Sequence, residues 1–149
     1  MKRSILFFLF IIISHVSILS QGYVINSYDV EVDIESNGLV HVTERINVSF
    51  SEKRRGIIRD IPLRYKNAES SEGNAIIIDN IQVKDDPFVL IDDANFERIR
   101  IGSANKFLEG DKSYEISYDV LGAVEQFDGM AELVWSVIGD QWDTKIMKS

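Results

Sequence analysis

The sequence predicts an all-β domain, an antiparallel β-sandwich, behind an N-terminal hydrophobic leader. Three observations predict it. Apolar residues recur at every second position through most of the chain after residue 22. The alternating runs are short and separated by Gly, Asn and Asp clusters, and no stretch carries a helical period of useful length. Many short strands joined by such turns favour a two-sheet sandwich over a barrel.

The leader comes first. Met1-Lys2-Arg3 is a short basic start, Ile5 to Ile13 is an almost unbroken apolar run, and Ser14, His15 and Ser17 dilute it before Ser20-Gln21-Gly22. Charged, then greasy, then small and polar is the order of a secretory signal peptide, here residues 1–22. An uncleaved signal anchor is the alternative, because Ile5 to Leu19 falls only a little short of the roughly 20 apolar residues that span a bilayer. Cleavage after Gly22 places the small Ser20 three residues back, whereas cleavage after Ser20 would place Ile18 there. Lys2 and Arg3 on the retained side give both forms the same orientation. Residues 23–149 are then expected to form an extracytoplasmic domain.

Tyr28, Val30, Val32 and Ile34 alternate with Asp29, Glu31, Asp33 and Glu35. Val40, Val42, Ile46, Val48 and Phe50 alternate in the same way with polar residues. These are two half-buried strands, and parity selects the turn at Ser36-Asn37-Gly38. A two-residue Asn37-Gly38 loop would set Ile34 against His41, an apolar face against a polar one. A three-residue loop, a type I turn followed by a bulge with Gly38 in the left-handed conformation, pairs Ile34 with Val40, Val32 with Val42 and Val30 with Glu44.

Farther on, Ala75 to Lys84 is apolar at Ile76 and Ile78 and then at Ile81 and Val83, a change of phase that predicts a bulge near Asn80. Asp85-Asp86-Pro87 reads as a turn before a short Phe88 to Ile91 strand. Phe96 to Ile101 is another strand, stopped by Gly102. Glu109-Gly110-Asp111 reads as a turn before Lys112 to Leu121, where Tyr114, Ile116, Tyr118 and Val120 face one way. The last strand is expected from Ala131 to Ile138, entered through Asp128-Gly129.

The chain of 149 residues has no cysteine, so disulfides, thiol nucleophiles and cysteine metal clusters are excluded. Its formal net charge is −8, and loss of Lys2 and Arg3 takes it to −10. Nucleic acid is therefore not an expected partner, since phosphate binding needs a basic stripe and Lys53-Arg54-Arg55 is the one positive run, read here as a solvated loop.

Tyr28-Asp29-Val30, the Asn37-Gly38 turn, Val42-Thr43-Glu44, Arg55-Gly56-Ile57-Ile58-Arg59-Asp60-Ile61-Pro62, Ile101-Gly102, Tyr114-Glu115-Ile116-Ser117-Tyr118 and Glu132-Leu133-Val134-Trp135-Ser136-Val137-Ile138-Gly139 occur in this order. Together they resemble the N-terminal region of bacterial predicted membrane proteins in domain-of-unknown-function family 2207. The Gly-Ile-x-Arg-Asp-Ile-Pro string is the most specific piece. The resemblance implies a leader, an extracytoplasmic β domain and then membrane helices, and it implies no biochemical activity. Such relatives continue into more strands and an apolar span where this chain stops at Ser149. A fragment, an early-terminated reading frame and a soluble descendant are the three readings of that difference. A sandwich lacking its closing strands would expose pairing edges.

Glu44 breaks the pattern. Alternation puts it on the apolar face between Val42 and Ile46, where a carboxylate must find a cation or take up a proton. Arg59 is the candidate partner, because its isoleucine-rich segment follows that strand and its planar fork matches a carboxylate. The expected structural ion pair ties the segment to the sheet; a ligand-binding or catalytic role is the lesser alternative. Asp60, next to Ile61-Pro62, is expected to hold a turn by bonding nearby backbone amides.

No catalytic, metal or cofactor site is expected. His41 is the one histidine after the leader and lies on the polar face of a strand, a poor basis for a triad or a zinc site. Phosphate-loop and His-Glu-x-x-His strings do not occur. With 24 acidic residues, paired carboxylates carry little information about glycoside hydrolysis. Asp85-Asp86 and Asp92-Asp93 lack calcium-loop spacing and read as solvated turns. Trp135 and Trp142, with Tyr114 and Tyr118, are either core or a sugar platform, and core is the safer reading for Trp135. The expected function is a non-enzymatic extracytoplasmic recognition module of a cell-envelope membrane protein. It would bind an envelope protein or glycan, with contacts from Lys53 to Lys66 and from Phe127 to Trp142. The alternative is an envelope carbohydrate-active enzyme or lectin-like domain.

Overall fold

The computed structural model describes residues 22–65, 74–127, 130–136, 138–139 and 141–149. Residues 1–21 of the leader, Lys66 and the Asp128-Gly129 entry to the last strand lie outside these residues. Eleven strands are present among those described: β1 (Tyr23–Ile34), β2 (Val40–Arg54), β3 (Ile57–Pro62), β4 (Arg64–Tyr65), β5 (Asn74–Ala75), β6 (Ile77–Val83), β7 (Phe88–Ile91), β8 (Phe96–Ile101), β9 (Leu108–Leu121), β10 (Val124–Phe127) and β11 (Met130–Leu133). All strand pairs are antiparallel. A four-stranded sheet has the order β1-β2-β9-β6, a three-stranded sheet has the order β3-β8-β7, and β10-β11 and β4-β5 form two small ribbons.

The two larger sheets share one core. Val42, Ile46, Ile116 and Val120 from the first meet Ile57, Ile61, Ile99 and Ile101 from the second in a single buried cluster. Each such side chain taken fully out of water contributes about 1.5–3 kcal/mol, so the period-two pattern is itself the main stabilising device.

The first hairpin has Ile34 opposite Val40, Val32 opposite Val42 and Val30 opposite Glu44. Gly38 N–H donates to Glu35 O at 2.9 Å and Glu35 N–H to Leu39 O at 2.8 Å, closing a loop in which Gly38 has φ +85°. Asn37 Oδ1 accepts from Leu39 N–H at 2.8 Å. In β6, the register moves from Asp79 opposite Asp119 to Gln82 opposite Ser117, with Asn80 at φ +52°. The change of hydrophobic phase is this bulge.

Four expectations are corrected. Glu109-Gly110-Asp111 is not a turn: β9 starts at Leu108, and Gly110 sits opposite Phe50 within the ladder. There β2 carries residues 51–53 against residue 109, and a glycine at φ +79° accommodates the bulged pairing without breaking it. The last strand is shorter than Ala131 to Ile138 and pairs with β10, a strand that the sequence reading did not include. After Val134 N–H donates to Ala123 O at 2.8 Å, the chain leaves the ribbon and Trp135 turns edge-on to Tyr118. Lys53-Arg54 is the end of β2 rather than a solvated loop, and Arg54 stacks on Tyr23, 4.8 Å from its ring centre. Asp60 and Pro62 form no turn; both lie in β3. Because β3 is an edge strand, Pro62 fits there without costing the ladder a donor.

The C-terminal segment covers part of the open edge of β1. Ile25 N–H donates to Lys145 O at 3.1 Å, Met147 N–H to Ile25 O at 2.9 Å and Tyr28 N–H to Lys148 O at 2.9 Å, a short parallel pairing. Thr144 Oγ1 adds a 2.6 Å bond to Tyr23 O.

Candidate functional site: a buried ion pair and an arginine-lined cavity

The structure brings Glu44 and Arg59 together across the sandwich. Glu44, from the middle strand β2, is 0% exposed, and Arg59, from β3 in the facing sheet, is 1% exposed. Arg59 Nη2 donates to Glu44 Oε1 at 2.7 Å and Nε to Oε2 at 2.9 Å, the side-on fork in which a guanidinium best matches a carboxylate. Tyr118 Oη donates to Glu44 Oε1 at 2.6 Å, and Arg59 Nη1 donates to Asp60 O at 2.7 Å. Above the pair, Tyr28 and Trp142 lie edge to face with ring centres 5.7 Å apart, and the guanidinium carbon is 5.9 Å and 5.7 Å from the two ring centres. A Cβ on Gly139 would lie 3.0 Å from Arg59 Nη1, so Gly139, like Trp142, lies against the guanidinium.

Burial works against the charge on Arg59, and the adjoining Glu44 carboxylate outweighs it, holding the guanidinium pKa above its ordinary value. Burial, followed by the charge of Glu44, pushes the Tyr28 and Tyr118 phenols up as well. Both tyrosines therefore stay protonated, and Tyr118 stays a donor. The pair is closed to ligands and joins three parts of the chain: the central sheet, β3 and the C-terminal segment.

A cavity of about 620 Å³ opens beside it. Four arginines line it: Arg54 at the end of β2, Arg55 in the β2–β3 connection, and Arg98 and Arg100 on β8. Ile58 and Asp60 of β3 sit opposite Arg100 and Arg98 in the register, so these four share the outward face of the three-stranded sheet. Arg98 donates from Nε and Nη2 to the two oxygens of Asp60, each at 2.8 Å, and this pairing holds the Arg98 pKa above its ordinary value. Arg55 stacks on Phe107 at 4.6 Å. Gln141 and Asp143 close the cavity from the C-terminal segment, and Asp143 accepts a hydrogen bond from Tyr23 Oη.

Gly56 and Gly102 shape this cavity. They face each other just beyond the Ile57–Ile101 pair, Gly56 before Ile57 and Gly102 after Ile101, where the backbones of two segments come almost into contact. A Cβ on Gly56 would lie 1.8 Å from Ile101 O, and one on Gly102 would lie 2.0 Å from Arg55 O. No side chain fits at either place.

The remaining candidates are placed as follows. Asp86 pairs with Lys112 at 2.8 Å and Asp93 with Arg98 at 3.4 Å. Among the described residues no three His, Asp or Glu side chains are grouped to hold a metal ion. Tyr114 and Tyr118 are buried, so neither is available as a sugar platform. His41 lies between Asp119 at 2.6 Å and Glu35 at 2.9 Å. The two segments expected to carry contacts supply Arg54, Arg55, Ile58, Asp60 and Gln141 to the cavity. Sequence reasoning missed Arg98 and Arg100. Their signal was present in Phe96-Glu97-Arg98-Ile99-Arg100-Ile101, where inward isoleucines at 99 and 101 force both arginines onto the other face.

Among the described residues no helix is long and apolar enough to cross a membrane. No solved structure matches the chain. An uncharacterized protein of Escherichia coli (strain K12), YciQ, is 26% identical over 134 residues, which cover 84% of this chain and 21% of that protein. The chain thus spans about a fifth of the length of this curated relative. The family described as "Predicted membrane protein (DUF2207) N-terminal domain" matches residues 24–149, a span that includes the buried ion pair, both cavity glycines and all four cavity arginines. The chain therefore belongs to this family of predicted membrane proteins and carries its N-terminal domain.

Proposed function

We propose that the domain is an extracytoplasmic recognition module of a cell-envelope membrane protein, and that it binds its partner without turning it over. The observation that carries the reading is the cavity. It is built on a rigid two-sheet frame, it has the size of a small-ligand site, and it combines charged groups with the exposed Ile58. The two carboxylates that line it are engaged within the protein, Asp60 by Arg98 and Asp143 by Tyr23, an arrangement suited to holding shape rather than to acid–base chemistry. The basic start and apolar run at the N-terminus support a placement outside the membrane.

Two measurements test the reading. Alkaline phosphatase fused after Ser149 is active only if the domain reaches the exterior, and an inactive fusion that is well expressed would overturn the placement. Purified protein incubated with envelope glycans is expected to release no products. Products that disappear with Asp60→Asn or Asp143→Asn would establish an enzyme instead.

A further inference from the structure

We infer that the cavity is an oxyanion site: it takes a small ligand carrying a phosphate or carboxylate, held between Arg55 and Arg100. The inference rests on the cavity being a recognition site and names the chemistry recognised. Charge distribution carries it. The chain has a formal net charge of −8, yet the cavity gathers four arginines and two aspartates. Asp60 is already claimed by the fork of Arg98. Arg55 and Arg100 are exposed and make no ion pair among the described residues. Arg55 is held in place by its stacking on Phe107, and Arg100 is held by the ladder between Ile58 and Val89.

A guanidinium that is positioned but has no carboxylate partner is a standing donor fork for an oxyanion. Arginines gathered in a concave site also reinforce one another's potential there, whereas the rest of an acidic surface repels anions. Selectivity follows from the walls. Ile58, 49% exposed, gives apolar contact to the body of the ligand, so an anion with an attached organic group fits better than a bare ion. Gly56 and Gly102 keep the floor free of side chains.

The test uses the full chain in a non-ionic detergent at constant ionic strength. Inorganic phosphate, glycerol phosphate and citrate are titrated separately, and co-sedimentation of the protein, freed of detergent, with vesicles of phosphatidylglycerol or phosphatidylcholine forms a further arm. Amide and arginine Nε–H NMR shifts provide the readout. Saturable shifts at Gly56, Gly102 and Arg100 are expected with the soluble organic anions, which should bind more tightly than inorganic phosphate. A free ligand predicts this result with no preference between the vesicles, and a lipid headgroup predicts selective binding to phosphatidylglycerol. Arg55→Gln and Arg100→Gln should each weaken binding by roughly tenfold or more, the loss of one charge-assisted contact. Arg45→Gln, on the polar face of β2, should leave it unchanged. Absence of saturation in every arm, or equal weakening by Arg45→Gln, would overturn the inference. Because the phosphatase fusion and the turnover assay do not depend on the ligand's charge, the recognition reading stands or falls separately.

Discussion

Replacing Arg59 by Met should destabilise the protein far more than replacing Arg59 and Glu44 together. The guanidinium supplies Glu44 with bonds of 2.7 Å and 2.9 Å at a site where the carboxylate is 0% exposed. Arg59→Met leaves that carboxylate in the core with the Tyr118 hydroxyl. An orphaned buried charge of this kind costs roughly 3–5 kcal/mol, a large part of the about 5–15 kcal/mol that holds an ordinary domain together. Glu44→Leu leaves the opposite charge buried and should cost a similar amount. In the double variant the charges are gone and the volumes are close to filled. The remaining cost is the Tyr118 hydroxyl without its acceptor, about 1–3 kcal/mol. The coupling energy is therefore expected to be about 3 kcal/mol or more. Urea unfolding followed by tryptophan fluorescence measures all four proteins, and the dependence on urea should have the same slope in each. Coupling below about 0.5 kcal/mol would refute the argument, because additive losses would mean that the two side chains do not sense one another.

Gly56→Ala should cost on the order of 3 kcal/mol or more and lower soluble yield, because its Cβ would meet Ile101 O at 1.8 Å; Gly110→Ala, with open space around it, should cost only the roughly 1–2 kcal/mol of a left-handed backbone, and similar melting temperatures for the two would refute the close-approach account. Protonated His41 donates hydrogen bonds to Glu35 and Asp119, so its folded pKa is raised; its contribution to stability is complete below its ordinary value of about 6.5 and is lost as pH rises through the raised value. The two carboxylates have lowered pKa values, and their share is lost as pH falls through them, so melting temperature should decline on both sides of a mildly acidic maximum, and His41→Gln should remove the decline on the alkaline side. Trp142→Ala should cost roughly 2 kcal/mol, since the ring is half-buried against Tyr28 and Arg59, and should be non-additive with Arg59→Met; strict additivity in urea unfolding would separate the C-terminal segment from the ion pair.

The sequence by itself determined the two strands of the first hairpin and their parity. Side chains in a strand alternate between faces, so Val30, Val32 and Ile34 admit one register against Glu44, Val42 and Val40. It also exposed Glu44 as a charge on an apolar face, and the fork chemistry of arginine made Arg59 a reasonable partner. Only the tertiary structure decided what lies over that pair, because Tyr28, Tyr118 and Trp142 are distant in sequence and converge through sheet order and the path of the C-terminal segment. The same limit hid the cavity. Arg54, Arg55, Arg98 and Arg100 come from β2, the β2–β3 connection and β8, and they meet because the Gly56 and Gly102 backbones pack against each other. Local alternation reports which face a residue takes, while the distance between two faces depends on how sheets pack, which no short window of sequence encodes. Asp60 shows the difference within one residue. Beside Pro62 it reads as a turn former, yet pairing with β8 places the Arg98 fork opposite it, and two charge-assisted bonds hold it in a strand.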